Sequence, residues 1–317
     1  MANVLVGELS ADRFGTPHLL LVRELRKTNH STIATAIHDV TVLLWPGEVQ
    51  RDRVLLLLTD AARYMVKAGK ALQVFFPQMI HVTCIAHAFH RVAESIRDAS
   101  PEANKLISSI KKVFNKSPQR MQTYRELCPG LRDPPQPVLT RWGTWLSAAV
   151  FYAENLPAIR TVIGHFNPAD AQSIRDAAEV LQDLTLEPQL AYIKANLQVL
   201  VLKITQLEAR KISLQESMTI VQEVESHIQS LSGPIGDIAK AKLSSVLGNN
   251  PGLPTLRAVS EALTIGIPSV ELSLAPAALA AMKYAPATSV EVERSFSVYK
   301  NLLTDNRKRL SQSAPSR

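Results

Sequence analysis

Residues 54 to 65 read Val-Leu-Leu-Leu-Leu-Thr-Asp-Ala-Ala-Arg-Tyr-Met, and this stretch decides the fold class. A continuous β-favouring apolar run is typical of a strand buried on both faces, and a helix start follows the Thr-Asp that ends it. A strand that passes into a helix indicates an α/β architecture. Asp60 lies at this junction, where open α/β sheets commonly present ligands. An Asp in this position is equally suited to act as a helix N-cap.

The segments on either side extend the α/β pattern. Two apolar runs, 2–9 and 18–25, flank a turn that contains Gly and Pro, and they predict a β-hairpin. A helix over about 31–44 follows, and 79–84 predicts another strand. Helical periodicity then covers three successive segments, 85–98, 102–115 and 118–127.

The second half of the chain reads as helical. The proline cluster at 134–137 predicts a domain boundary. From 141 to about 247 the apolar residues have helical spacing throughout. A loop rich in Gly and Pro at 248–254 leads into a last helical region, and we expect the polar tail at 310–317 to be disordered.

The composition is that of a soluble globular protein. Of 317 residues, 46% are hydrophobic, and no apolar run approaches the length of about 20 residues that would span a bilayer. The net charge of +7 is mild and has the sign expected of a protein that contacts a phosphate backbone. Cys84 and Cys128 are the two cysteines, so the sequence predicts no disulfide framework and favours a reducing compartment.

The C-terminal stretch 285–297, Ala-Pro-Ala-Thr-Ser-Val-Glu-Val-Glu-Arg-Ser-Phe-Ser, contains two glutamates with different predicted roles. Thr288 and Glu291 have the spacing of a capping box, which leaves Glu293 to point elsewhere. Apolar side chains follow at helical intervals and form one stripe, which is more often core packing than a partner surface. The stripe consists of Val292, Phe296, Tyr299 and Leu303.

Residues 81–90, His-Val-Thr-Cys-Ile-Ala-His-Ala-Phe-His, carry ligand types suited to zinc. A structural zinc site normally needs four ligands, and no second Cys/His pair follows at the usual spacing. We therefore do not expect zinc at His81, Cys84, His87 or His90.

Four motifs together resemble segments of hAT-superfamily transposases in the order found in that family, and the resemblance covers about residues 3–310. The motifs are Thr59-Asp60, Cys84-x-x-His87, Arg141-Trp142 and Glu293-Arg-x-Phe-Ser. The resemblance implies a partial RNase H-like core, an all-helical insertion and a C-terminal helix that returns to the core. The corresponding domains would be 1–133, 134–270 and 271–317, the last being the family's dimerisation segment.

The resemblance also implies roles for single residues. Asp60 and Glu293 would be the second and third acidic ligands of Mg²⁺ or Mn²⁺, and His87 would lie near the scissile phosphate. Trp142 would stack on a displaced base, with Arg141 on phosphate. The alternatives stay open: His87 bonded to backbone, Arg141 at a helix end, and Trp142 anchoring the core together with Trp145.

The family's first acidic ligand has no counterpart in this sequence. Asp12 lies in the predicted turn and Glu8 on the first strand of the predicted hairpin, so neither takes the place of the first ligand beside Asp60. Two carboxylates of three should bind Mg²⁺ poorly. The strand that carries the first ligand is the central one in that fold, between the hairpin and the 54–58 strand, so we expect unpaired strand edges.

These observations predict a truncated transposon-derived protein that is catalytically inactive and holds no cofactor tightly. We expect it to form a homo-oligomer through Phe296, Tyr299 and Leu303 and to bind DNA without sequence preference. A nuclear location is favoured over a cytoplasmic one, and neither a membrane nor a small-molecule substrate is expected. Two alternatives remain: an active DDE-type transposase or nuclease whose true N-terminus lies upstream, and an unrelated helical adaptor.

Overall fold

The computed structural model of the chain describes residues 1–115, 117–138, 143–268 and 271–303, with 297–303 by their backbone alone. This part of the chain is mostly helical, with four short strands in two small sheets, so the fold is broadly α/β as predicted. None of its helices is both long and apolar enough to cross a membrane.

The sequence-predicted elements up to residue 127 are all found within a few residues of their expected bounds. In chain order the strands and α-helices are β1 (Ala2–Val6), β2 (His18–Arg23), α1 (His30–Leu44), β3 (Leu56–Thr59), α2 (Arg63–Gln73), β4 (Ile80–Thr83), α3 (Ile85–Asp98), α4 (Pro101–Phe114), α5 (Pro118–Leu127), α6 (Thr144–His165), α7 (Gln172–Val180), α8 (Leu186–Leu207), α9 (Leu214–Ser230), α10 (Gly233–Gly248), α11 (Leu253–Ile265), α12 (Pro276–Ala281) and α13 (Val290–Leu303).

The chain divides into two compact units that are not contiguous in sequence. Unit 1 comprises Met1–Cys84, Arg210–Met218 and Asn250–Arg317, and unit 2 comprises Ile85–Ala209 and Thr219–Asn249. The division after Cys84 differs from the domain boundary predicted at 134–137, because α3, α4 and α5 pack with the later helices of unit 2.

Unit 1 contains both sheets. β1 and β2 form the predicted antiparallel hairpin, with Ala2 opposite Arg23. β3 and β4 are parallel, with Leu56 opposite Ile80, and α2 forms the crossover between them. In the described part of the chain β1 pairs with β2 alone and β3 pairs with β4 alone, so the hairpin and the βαβ segment are separate sheets.

The two parallel strands of unit 1 differ in burial. All four residues of β4 are buried, whereas Leu56, Leu57 and Leu58 of β3 are half-buried. The expectation that 54–58 is buried on both faces was therefore wrong. Leu57 packs on one side against the cluster of Leu72, Phe76 and Met79, and each of the three leucines keeps part of its surface exposed.

Helix α13 of unit 1 is held to both sheets by hydrogen bonds. The Ser289 amide donates to Cys84 Sγ (3.2 Å), and Asn3 Nδ2 on β1 donates to Ser295 Oγ (2.9 Å). The helix begins at Val290, so Glu291 is its second residue and the capping box predicted with Thr288 was wrong. Glu291 forms ion pairs with two arginines instead, Arg294 and Arg210.

Unit 2 is helical throughout its described residues, as the spacing from 141 to 247 predicted. Its core packs α6 against α8, α4 against α7 and α10 against α3. Large side chains fill this core with almost no exposure: Phe89, Ile96, Leu106, Ile110, Tyr124, Leu146, Phe151 and Tyr152. The backbone of α6 departs from helical geometry at Asn155, two residues before Pro157, because a proline inside a helix removes a hydrogen bond.

Candidate functional site

Asp60 follows β3 directly and is half-buried in unit 1. Its Oδ1 accepts a hydrogen bond from the Ala62 amide (2.9 Å), which shapes the turn between the strand and α2. The helix itself starts at Arg63 and has no side-chain cap. The N-cap interpretation of Asp60 was therefore wrong: Ala62 takes the N-cap position, and the bond of Asp60 lies in the turn before the helix.

Glu293 is brought to Asp60 by the docking of α13. Its side chain keeps solvent exposure, yet partial desolvation by the surrounding protein and then the nearby charge of Asp60 raise the pKa of the Glu293 carboxyl. The two carboxylates, far apart in the sequence, thus act on each other within unit 1. A cation placed between them would relieve their repulsion.

Asp60 and Glu293 alone offer few ligands to a metal ion. Among the described residues, no group of three or more His, Cys, Asp and Glu side chains could hold a metal ion. Asp60 and Glu293 could supply two oxygen ligands to Mg²⁺ or Mn²⁺, with water completing the octahedron. Such an ion would be weakly held.

A buried histidine fixes the strand end that carries Asp60. His81 Nε2 and Thr59 Oγ1 are 2.9 Å apart, and the Thr59 hydroxyl donates to the Asp60 carbonyl (2.8 Å), so His81 is the donor of the first bond. Burial lowers the pKa of His81, which favours the neutral ring. Gly69 of α2 lies against this ring so closely that a Cβ there would overlap it. A glycine inside a predicted helix was the one signal of this arrangement that could be read from the sequence.

Cys84 is buried and serves as a structural acceptor. Its Sγ accepts a hydrogen bond from the Ser289 amide, and its own amide donates one to the Thr59 carbonyl (2.8 Å). Cys84 therefore packs at a strand end, as one interpretation of the sequence held. Since His81 is also committed to Thr59, the structure adds no support for zinc at 81–90.

His87 lies in unit 2, as the third residue of α3, and is half-buried. Asp60 and Glu293 belong to unit 1. The predicted position of His87 near a scissile phosphate stays a prediction.

The predicted DNA contacts Arg141 and Trp142 lie outside the described residues. Trp145, in the first turn of α6, donates from Nε1 to Asn104 Oδ1 (3.0 Å), and its side chain is almost fully buried. The hollow beside it has a volume of about 10 Å³, enough for roughly one water molecule. Trp145 is therefore an anchor of the unit 2 core, the alternative that the sequence left open.

The predicted dimerisation residues all belong to α13. Phe296 is half-buried, while the side chains of Tyr299 and Leu303 lie outside the described residues. Their role in self-association stays a prediction.

Asn250 is a structural residue that sequence reasoning missed. Its Nδ2 donates to the Thr83 carbonyl (2.7 Å) and its Oδ1 accepts from the Thr83 amide (3.1 Å). One side-chain amide thereby replaces a neighbouring strand at this point on the edge of β4. The segment 248–254 looked like a simple linker, and the available signal was an Asn that precedes Pro and Gly.

Comparison with known proteins assigns no family. The sequence matches no family model, and no curated protein is significantly similar to it. The resemblance to hAT transposases therefore depends on the four sequence motifs.

Proposed function

We propose that this chain is a transposon-derived protein that acts by associating with other protein chains rather than by cleaving DNA. The observation that carries the proposal is the pair of open sheets in unit 1. β1 and β3 each have one edge without a partner strand in the described structure. Unpaired strand edges present rows of backbone donors and acceptors, and these are a common basis for association between chains.

The descent from a DNA-processing core is supported by Asp60 and Glu293. These residues lie in two of the motifs that resemble those of hAT transposases, and the charge of one acts on the other. In-line phosphodiester cleavage uses two metal ions about 4 Å apart and needs carboxylates on both sides of them, which a single pair does not provide.

Metal-dependent DNA cleavage is the second candidate function, and the same acidic pair favours it. The two functions differ in what an added divalent cation would do. An association protein would bind the cation weakly without chemistry, whereas a nuclease would nick DNA through it.

Nonspecific DNA binding is a further part of the proposal, supported by the net charge of +7. Binding through phosphates alone weakens steeply as salt rises, because counterions are released. Titration of a duplex of random sequence at two salt concentrations would show this dependence.

The test uses the purified 317-residue chain. Its mass in solution would be measured by light scattering over a range of concentrations, and supercoiled plasmid would be incubated with it and Mn²⁺. We expect concentration-dependent association and no nicking. Nicking that is lost in Glu293→Gln and kept in the neighbouring control Glu291→Gln would contradict the proposal, as would a chain that stays monomeric and binds no protein partner.

A further inference from the structure

Helix α2 carries three basic side chains on its exposed face. Arg63, Lys67 and Lys70 are exposed, and their spacing of four and three residues places them on one side of the helix. The other side packs inward and contains the buried residues Ala68 and Leu72. At a rise of about 1.5 Å per residue, the three cations form a row about 10 Å long on the surface of unit 1. We call them the basic row.

No acidic side chain of α2 balances the basic row. The sequence from 61 to 93 contains neither Asp nor Glu. Asp60, the acidic residue just before this stretch, bonds to the Ala62 amide in the turn that precedes the helix. Among the described residues, none of the three basic side chains forms an ion pair. Like charges four residues apart on a helix repel each other, so a bound anion would relieve an unfavourable arrangement.

The two units carry unequal shares of the net charge. Unit 1 contains 19 of the 35 Lys and Arg residues and 13 of the 28 Asp and Glu residues. Unit 1 therefore holds six of the seven net positive charges, and unit 2 holds one. Such an asymmetry is typical of a protein that binds a polyanion with one part of its surface.

An exposed aromatic ring lies just beyond the C-terminal end of α2. Phe75 is 54% exposed, and the Arg51 guanidinium carbon lies 5.9 Å from the centroid of its ring. Among the described residues Arg51 forms no ion pair either, so it adds a fourth cation at this ring. An aromatic ring and a guanidinium group beside basic side chains are the groups on which bases of a single strand stack.

The exposed apolar area near the basic row is too small for a lipid surface. A helix that lies on a membrane buries a broad apolar face in it. The apolar face of α2 packs inside unit 1 instead, where Leu72 joins Phe76 and Met79. The two exposed apolar side chains that follow the helix, Val74 and Phe75, do not make up such a face. The charge of the row therefore favours nucleic acid over a membrane.

The Phe75 ring also distinguishes between forms of nucleic acid. In a duplex the bases are stacked on each other and cannot reach an aromatic side chain on the protein surface. In a single strand each base has a face that can pack on such a ring, whatever the sequence. The exposed ring beside a row of cations therefore favours a single strand.

We propose that the basic row and Phe75 bind single-stranded nucleic acid without sequence preference. The phosphates contact Arg63, Lys67 and Lys70, and one base stacks on Phe75. The inference rests on the nonspecific DNA binding in the proposed function, and it names the surface and the form of nucleic acid.

The probe is a fluorescein-labelled oligothymidylate of about 20 nucleotides, titrated with the full chain at several salt concentrations and followed by fluorescence anisotropy. Lys67→Ala should weaken binding about threefold to tenfold and lower the slope of log K against log salt by about 0.7, the value for one phosphate contact of a single strand. Lys112→Ala, at an exposed position of α4 in unit 2, is the matched control and should change neither quantity. An unchanged slope in Lys67→Ala would overturn the role of the basic row.

The stacking contact is tested by two substitutions of the exposed ring. Phe75→Leu keeps an apolar side chain but removes the aromatic face, so it should weaken oligothymidylate binding about fivefold or more and leave the affinity for a duplex of random sequence unchanged. Phe75→Tyr keeps the ring and should bind like the unmodified chain. Equal losses for both ligands in Phe75→Leu, or a duplex that binds more tightly than the single strand, would overturn the assignment.

Two competitors separate nucleic acid from other anionic partners. Polyglutamate, and vesicles of phosphatidylcholine and phosphatidylserine, should displace the probe much less well than unlabelled oligothymidylate at the same charge concentration. Displacement as effective as that by the oligonucleotide would overturn nucleic acid as the partner.

Light scattering of Lys67→Ala and Phe75→Leu separates this inference from the proposed function, and we expect the association of both variants to match that of the unmodified chain. Oligothymidylate binding that survives both substitutions would refute the inference and leave nonspecific DNA binding standing. No binding of either nucleic acid by the unmodified chain would overturn both, while association between protein chains would stand on its own measurement.

Discussion

The helical core of unit 2 and the sheets of unit 1 satisfy their backbone groups in different ways. In α6 most amides find their partners within the helix, apart from the first turn and the kink at Asn155 and Pro157, and the side chains facing inward are almost fully buried. In β3 half of the backbone groups depend on a second neighbouring strand, and the structure supplies a neighbour on one side. The comparison teaches that a helix satisfies most of its backbone hydrogen bonds internally. A sheet does so only when both of its edges are paired with a strand or covered.

Within unit 1, the strands β3 and β4 also differ in how their edges are covered. The two strands have equal length, but Asn250 covers β4 at Thr83 and all of β4 is buried. Among the described residues no side-chain amide bonds to the backbone of β3 in this way, and its leucines are half-buried. Two strands of similar hydrophobicity thus differ in burial, and the buried one carries a side-chain hydrogen-bond partner on its backbone.

The largest expected effect comes from the same truncation made in both units. Leu146→Ala in α6 removes a fully buried side chain and should lower the free energy of unfolding by about 3 kcal/mol. Leu57→Ala in β3 removes a half-buried one and should cost about 1 kcal/mol. Urea denaturation followed by circular dichroism would measure both. Equal losses would break the contrast between the units.

Two glycine substitutions test how tightly unit 1 is packed around His81. Gly69→Ala would force a methyl group into the His81 ring and should destabilise the chain by about 1–3 kcal/mol. Gly164→Ala in α6 is the control, since its Cβ would meet nothing, and it should stabilise the helix by about 0.5–1 kcal/mol. Thermal unfolding of the two variants gives the comparison. A neutral Gly69→Ala would mean that the His81 side of unit 1 is as loosely packed as β3.

The substitution Asn250→Ala tests the hydrogen bonds between the Asn250 side chain and the Thr83 backbone at the edge of β4. Loss of the amide leaves the buried Thr83 backbone without its partner and should lower stability by about 1–2 kcal/mol. The exposed neighbour Asn249 bonds to the Ser245 carbonyl on its own helix, so Asn249→Ala should cost less. If the two variants were equally stable, Asn250 would not be replacing a strand.

The smallest expected effect is on pH dependence. The pKa of Glu293 is raised in the fold, so the folded chain holds this proton more tightly than the unfolded chain. Stability from this group is present below about pH 4.3, its unfolded pKa, and is lost as pH rises through the folded pKa. Glu293→Gln should therefore match the unmodified chain near pH 4 and exceed its stability at pH 7, by less than about 1 kcal/mol because of solvent screening.

The control for this measurement is Glu291→Gln, which breaks ion pairs to Arg294 and Arg210 and should bring no gain at pH 7. A Glu293→Gln variant less stable than the unmodified chain at pH 7 would show that Glu293 is held by a favourable partner instead of opposed by Asp60.

Local elements were largely predictable from the sequence, because periodicity and turn residues act over short distances. The hairpin, α1 and the β3–α2–β4 segment were predicted on that basis and confirmed. The start of α13 was missed because Thr288 and Ser289 are both acceptable caps, and a single sequence does not distinguish them.

Long-range features were much less accessible. Neither composition nor periodicity shows that α3–α5 join unit 2, or that Asn250 reaches Thr83, 167 residues earlier in the chain. No local signal in the sequence connects Asp60 with Glu293, whose charges interact in the structure, and only the resemblance to a family associates them as metal ligands. Arg141 and Trp142 lie outside the described residues, and the predicted roles of His87, Phe296, Tyr299 and Leu303 stay predictions.

The central claim is that β1 and β3 carry open edges in the chain by itself. Residue-resolved hydrogen exchange of the unliganded chain tests it most directly. We predict fast and slow amides in alternation along β1 and β3, since every second amide faces the open edge, with slow exchange throughout the middle of α6. Uniformly slow exchange along both strands would contradict the account.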